Sequence, residues 1–117
     1  MEFLHALILT ALAILHPHQA NPEPPTPKTY AAEQVPPDQW PCLKRLWHRE
    51  SRWRPHAYNT DSGAYGIAQF LPSTWGSVGA KRTSDWRKQI DAGIVYVEQR
   101  YGTACHALDF HTTNGWY

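Results

Sequence analysis

The sequence has little of what would mark most functional classes. Its 11 lysines and arginines nearly balance its 10 aspartates and glutamates, and no basic block stands out. Nucleic acid, which is bound through clustered positive charge, is therefore not an expected partner. The chain has only two cysteines. No cysteine–histidine cluster has metal-ligand spacing, so neither a metal nor another cofactor is expected. His5 and the His16–Pro17–His18 pair lie at the N-terminus. His48, His56, His106 and His111 are scattered, and each reads as a surface or packing residue. The one extended apolar run, Phe3 to Leu15 (FLHALILTALAIL), falls short of the about 20 residues that a membrane-spanning helix needs. Strand-like alternation of useful length is missing, as is any internal repeat, which leaves a mainly α chain.

What is present is unevenly distributed. Eight of the 10 prolines fall between Pro17 and Pro41, whereas all six tryptophans fall between Trp40 and Trp116. A length of 117 residues suits one domain and not two. The apolar run, followed by Pro17 and a small Ala20, fits a signal peptide over 1–20 cut after Ala20. The segment 21–37 (NPEPPTPKTYAAEQVPP) has no hydrophobic periodicity and reads as a Pro-rich, disordered linker. The remainder, 38–117, reads as the folded domain, close to the lower size limit for a core that holds itself together. Cys42 and Cys105 sit near its two ends. In a cytosolic protein they would be buried free thiols; in a secreted one they are expected to form a disulfide. Closing a loop of that length stabilises a domain by about 4 kcal/mol in the chain-entropy model.

Two helices are readable. The first is expected to start at Asp38 as N-cap and run to about Trp53. The second opens at Ser84, places Trp86, Ile90, Ile94, Val97 and Tyr101 at helical spacing, and stops at Gly102. Between them lie a loop rich in Gly, Asn, Asp and Ser and the segment QFLPSTW, where Pro72 suits a helical first turn. A last apolar patch, Cys105 to Phe110, precedes the tail HTTNGWY.

The first helix raises a chemical question. At about 100° per residue, Leu43, Leu46 and Trp47 share an apolar arc with Trp40, and Glu50 falls inside it. Lys44, Arg45, His48, Arg49 and Arg52 lie on the other side. A carboxylate on the apolar face must be paired, protonated or turned toward a cleft. One reading is a buried ion pair with an arginine reaching round the helix end. The other is a general acid whose pKa is raised by burial into the neutral range.

Residues 62–75, SGAYGIAQFLPSTW, bear on that choice. Gly63, Gly66 and Gln69 form G-x-x-G-x-x-Q, in which glycines permit close backbone approach and the glutamine offers both donor and acceptor. Together with Glu50-Ser51, Ala57 to Asn59 and Pro72-Ser73-Thr74-Trp75, this pattern resembles the lytic transglycosylases of the soluble-lytic type in the lysozyme superfamily. The short actinobacterial and phage-borne domains and the resuscitation-promoting factors are similar compact forms. The resemblance covers about Pro41 to Tyr117. It implies a small goose-lysozyme-like α fold with a cleft, peptidoglycan glycan strands as substrate, Glu50 as catalytic acid and Ser51 as the residue that supports it.

By the same resemblance, Gln69 is a substrate contact in the cleft floor, with Tyr65 and Gly66 beside it. The soluble-lytic pattern also has a later A-Y-N-A-G segment lining the cleft, and none follows Gly66 here. The tail HALDFHTTNGWY takes roughly that place, so His111, Asn114, Trp116 and Tyr117 could supply hydrogen bonds and sugar stacking. The tail could equally cover the core edge. Packing is the reading for Trp75.

The activity implied is cleavage of the MurNAc–GlcNAc β-1,4 bond to a 1,6-anhydro product, with Glu50 as the single acid and base. The alternatives are hydrolysis of the same bond by a muramidase, which would use Asp61 or another group to position water, a non-catalytic glycan-binding module, and a disulfide-stapled structural domain. The protein is expected to act as a secreted monomer on the cell wall, with no membrane attachment beyond the cleaved signal. A virion-associated phage protein is the alternative.

Overall fold

The computed structural model describes residues 23–117, and the expected signal peptide lies outside them. Five helices follow in order: α1 (Pro27–Gln34), α2 (Trp40–Ser51), α3 (Pro72–Ser77), α4 (Trp86–Tyr101) and α5 (Ala104–Asn114). Among the described residues, extended structure is limited to isolated antiparallel bridges from Tyr65 to Tyr58 and Phe70. The mainly α expectation holds.

Helix α1 corrects the expectation that 21–37 carries no fold. Its prolines are confined to the ends: Pro27 occupies the first turn, where no backbone N–H is needed, and Pro36 and Pro37 follow the last turn. Thr26 and Thr29 close a reciprocal capping box. The interior then docks, with Ala31 fully buried, Tyr30 edge-on to Trp86 at 5.6 Å and the Tyr30 hydroxyl donating to Asp91 at 2.6 Å. The folded unit therefore begins before residue 38.

Helix α2 starts one residue later than Asp38 would have it. Gln39 is the N-cap by backbone position and makes no side-chain cap. Its amide oxygen instead accepts from the Cys105 N–H at 3.0 Å, tying α2 to the start of α5. The Cys42–Cys105 disulfide closes the same end of that helix pair.

At the other end of α2, Arg52 and Trp53 take left-handed backbone, φ 53 and 61, a conformation that costs of order 1–3 kcal/mol for such residues. Trp53 offsets this by folding back onto α2. Its indole N–H donates to the Lys44 carbonyl at 3.0 Å, and its ring meets Trp40 and Trp47 edge-on at 5.5 and 5.3 Å.

Helix α4 runs from an Asp85 cap to Gly102, close to the sequence expectation. It supplies the groove for Trp47: a Cβ on Gly93 would lie 2.5 Å from the indole. It also supplies Gln89, a buried amide that organises the loop before α3. Gln89 accepts from the Ile67 N–H at 3.0 Å and donates to the carbonyls of Pro55 and Thr83 at 2.9 and 2.8 Å. Each polar atom of this buried side chain is thus satisfied.

Candidate active site

Glu50 sits in the last turn of α2 with its side chain 17% exposed. It borders a concavity of about 300 Å³ whose wall comes from the loop before α3 (Asn59, Ser62, Gln69) and from the tail (Trp116, Tyr117). A second concavity shares Gln69, Leu71, Trp116 and Tyr117 with the first, so the two adjoin and together make up the groove along the tail. A larger hollow of about 620 Å³ lies beside α4, lined by Lys81, Arg82, Lys88 and Asp91. Its one carboxylate is engaged by Tyr30.

The arginine ion pair is not what holds Glu50. Arg49 donates to Thr112 Oγ1 at 2.9 Å. Among the described residues, the one ionic contact of Glu50 is with His111, Nε2 to Oε1 at 2.8 Å. The surroundings of the two groups favour a neutral pair. Burial pushes the Glu50 carboxyl up to about 7. Burial, and secondarily the nearby Arg49 charge, push His111 below its usual value. A carboxyl raised and an imidazole lowered do not form a resting ion pair, because each disfavours its charged form. With its carboxyl at about 7, a substantial fraction of Glu50 carries a proton near neutral pH and can give it up.

The remaining expected site residues divide into those that face the groove and those that build it. Gln69 faces it. Its backbone is left-handed, φ 55, and its amide nitrogen donates to the carbonyls of Ala57 and Gly66 at 2.9 and 3.0 Å. With both amide protons engaged, the side-chain oxygen is the group left for a ligand. Tyr117 presents only its ring, since its hydroxyl accepts from Trp47 Nε1 at 2.9 Å and donates to the Ala68 carbonyl at 2.8 Å.

Three expected site residues lie behind the groove. Ser51 is 2% exposed and donates to the Ile67 carbonyl at 2.7 Å, so it fastens the loop to α2 and is not part of the groove wall. Tyr65 is buried, with its hydroxyl 2.6 Å from Ser84 Oγ and its ring under Arg82. Gly66, with φ 86, is required by packing, because a Cβ there would come 2.8 Å from the Gln89 amide. Asn114 turns back to donate to the Phe110 carbonyl at 2.9 Å and does not line the groove.

Two groups carry more of the site than the sequence indicated. Trp116 is 52% exposed on the groove wall, propped by Phe110 edge-on at 4.9 Å and by Arg100. His111 is the direct partner of Glu50. Asp61, the candidate for positioning water, is exposed and is not part of the groove wall. Among the described residues, no group of three or more His, Cys, Asp or Glu could hold a metal ion.

A search of curated proteins and one of solved structures return no match. The family model for the transglycosylase SLT domain matches residues 29–107, beginning within α1 and taking in Glu50, the glycine loop and α4. The match covers well over half of the chain and includes the buried acid and the loop that forms its cleft. The chain therefore belongs to the SLT transglycosylase domain family, whose members act on peptidoglycan in the manner of lytic transglycosylases.

Proposed function

We propose that this protein is a peptidoglycan lytic transglycosylase that cleaves the MurNAc–GlcNAc β-1,4 bond with Glu50 as its single acid and base. The supporting observation is that, among the described residues, Glu50 is the one carboxyl group lining its groove. Burial raises it to about 7, so a substantial fraction is protonated near neutral pH. Glycosidases with two carboxyl groups use the second as nucleophile or as base on water. Here the second role falls to the substrate.

Glu50 donates its proton to the bridging oxygen, and the GlcNAc side leaves as an alcohol. The MurNAc N-acetyl oxygen attacks C1 as that bond breaks. The Glu50 carboxylate then takes the C6 hydroxyl proton, O6 attacks C1 and the N-acetyl group is released. The product is 1,6-anhydroMurNAc, Glu50 is again protonated, and no water is consumed.

In this reading Gln69 offers its amide oxygen to a sugar hydroxyl, and Trp116 offers a face for a sugar ring. The enzyme acts as an extracytoplasmic monomer carried out by the 1–20 signal, and among the described residues no helix is long and apolar enough to cross a membrane. Mass analysis of the muropeptides released from purified peptidoglycan tests the chemistry. Anhydro ends, lighter by one water than reducing ends, are expected; reducing ends would make the enzyme a hydrolase.

A further inference from the structure

We infer that His111 is a positioning residue for Glu50: its Nε2–H donates to Oε1 and reserves Oε2 as the oxygen that gives and takes the proton. The inference rests on the reading of Glu50 as acid and base. It concerns a residue beyond the span that the family model matches.

The contact is built into the fold. Helices α2 and α5 are joined at their N-terminal ends by the Cys42–Cys105 disulfide and the Gln39–Cys105 hydrogen bond. At their C-terminal ends, Arg49–Thr112 at 2.9 Å and Glu50–His111 at 2.8 Å form adjacent rungs. Gly115 caps α5 by donating to the His111 carbonyl at 2.7 Å, which fixes the turn that carries the imidazole. The two side chains are 14% and 17% exposed, so the bond is largely shielded from competing water.

The chemistry selects one tautomer. If Nε2 were bare, Glu50 would donate to it through Oε1, and the acid proton would point at α5. Once that proton left, a carboxylate oxygen would face an imidazole lone pair at 2.8 Å. With hydrogen on Nε2, the same bond serves both protonation states of Glu50, and the proton resides on Oε2.

A neutral donor also suits the two-step cycle. A permanent cation at this place would hold Glu50 as carboxylate and remove the acid. The titratable and charged groups facing His111 are Arg49 and Glu50 from α2 and Tyr117 from the tail, whose ring centre is 6.4 Å away. Arg49 disfavours the imidazolium, and the hydroxyl of Tyr117 is kept protonated by burial.

The full chain and its His111→Gln, His111→Phe and Glu50→Gln variants are assayed on purified peptidoglycan across pH, and ring nitrogens of the wild type are read by ¹⁵N NMR. Phe keeps the site dry but cannot donate. It is expected to lower kcat on the order of 100-fold through misplacement of the acid. It also moves the alkaline limb upward, because the carboxylate has lost a donor. Gln, whose amide can reach the same oxygen, restores most of both. Wild-type rate and limb in His111→Phe, or equal losses in Phe and Gln with the limb unmoved, would overturn the inference.

The NMR arm is independent of activity. A neutral Nε2–H ring near neutral pH is expected, and an Nδ1–H or charged ring refutes the assignment. An active Glu50→Gln would sink the acid reading itself, while the nitrogen spectrum would still decide the tautomer.

Discussion

Glu50 illustrates how one residue can be legible in kind and illegible in partner. Its place on the apolar arc of α2 follows from helical spacing, and with it the need for a protonated or paired state. Which group meets it does not follow, because His111 lies far along the chain in a polar tail. Its approach depends on how α5 is set against α2. The same limit explains Tyr65 and Gly66. The motif marks them, but in an irregular loop no periodicity tells which residues face the ligand and which brace the floor from behind.

A pH-dependent stability effect belongs to this scale. The Glu50 carboxyl sits at about 7 in the fold against an ordinary 4.5, so the folded state favours its protonated form. That contribution is complete below the unfolded value and is lost as pH rises through about 7. The full shift corresponds to about 3 kcal/mol, and partial exposure to water reduces it. Glu50→Gln, which cannot ionise, is therefore expected to unfold with a free energy about 2 kcal/mol higher than wild type near pH 8. The two should differ little near pH 4, as denaturant titration at both pH values would show. An equal difference at both would contradict the buried-acid assignment.

Among the elements, α2 and α4 are written plainly in the sequence, since each carries a long apolar stripe with a recognisable stop. Helix α1 is not. It is short, buries little beyond Tyr30 and Ala31, and is bracketed by prolines that suggest extended chain when counted by composition. Their placement at the first turn and beyond the last is what permits a helix. The disulfide is the clearest element-scale device, because it sets α5 beside α2 at the end remote from Glu50. Replacing both cysteines by serine is expected to lower unfolding free energy by about 4 kcal/mol. For a core this small the loss in melting temperature should be large, and calorimetry of the oxidised wild type against the variant measures it. No change would mean that the Gln39 bridge and core packing hold α5 unaided.

For the molecule as a whole, adjoining concavities extend from the buried acid along Gln69 and Leu71 to an exposed tryptophan on the tail. That shape suits a polymer lying across the surface better than a small molecule in a closed pocket. Trp116→Ala should raise the half-saturating peptidoglycan concentration by about 10-fold, as expected for a lost stacking contact near 1.4 kcal/mol. It should leave kcat nearly unchanged; the reverse pattern would place Trp116 in the chemistry rather than in binding. The most direct measurement is release of soluble muropeptides from purified peptidoglycan by wild type and Glu50→Gln, each verified as folded by its melting curve. Wild type should release them, and the glutamine variant, folded at least as stably, should fall by about 100-fold or more. Release by Glu50→Gln at the wild-type rate would contradict the assignment of Glu50 as the acid.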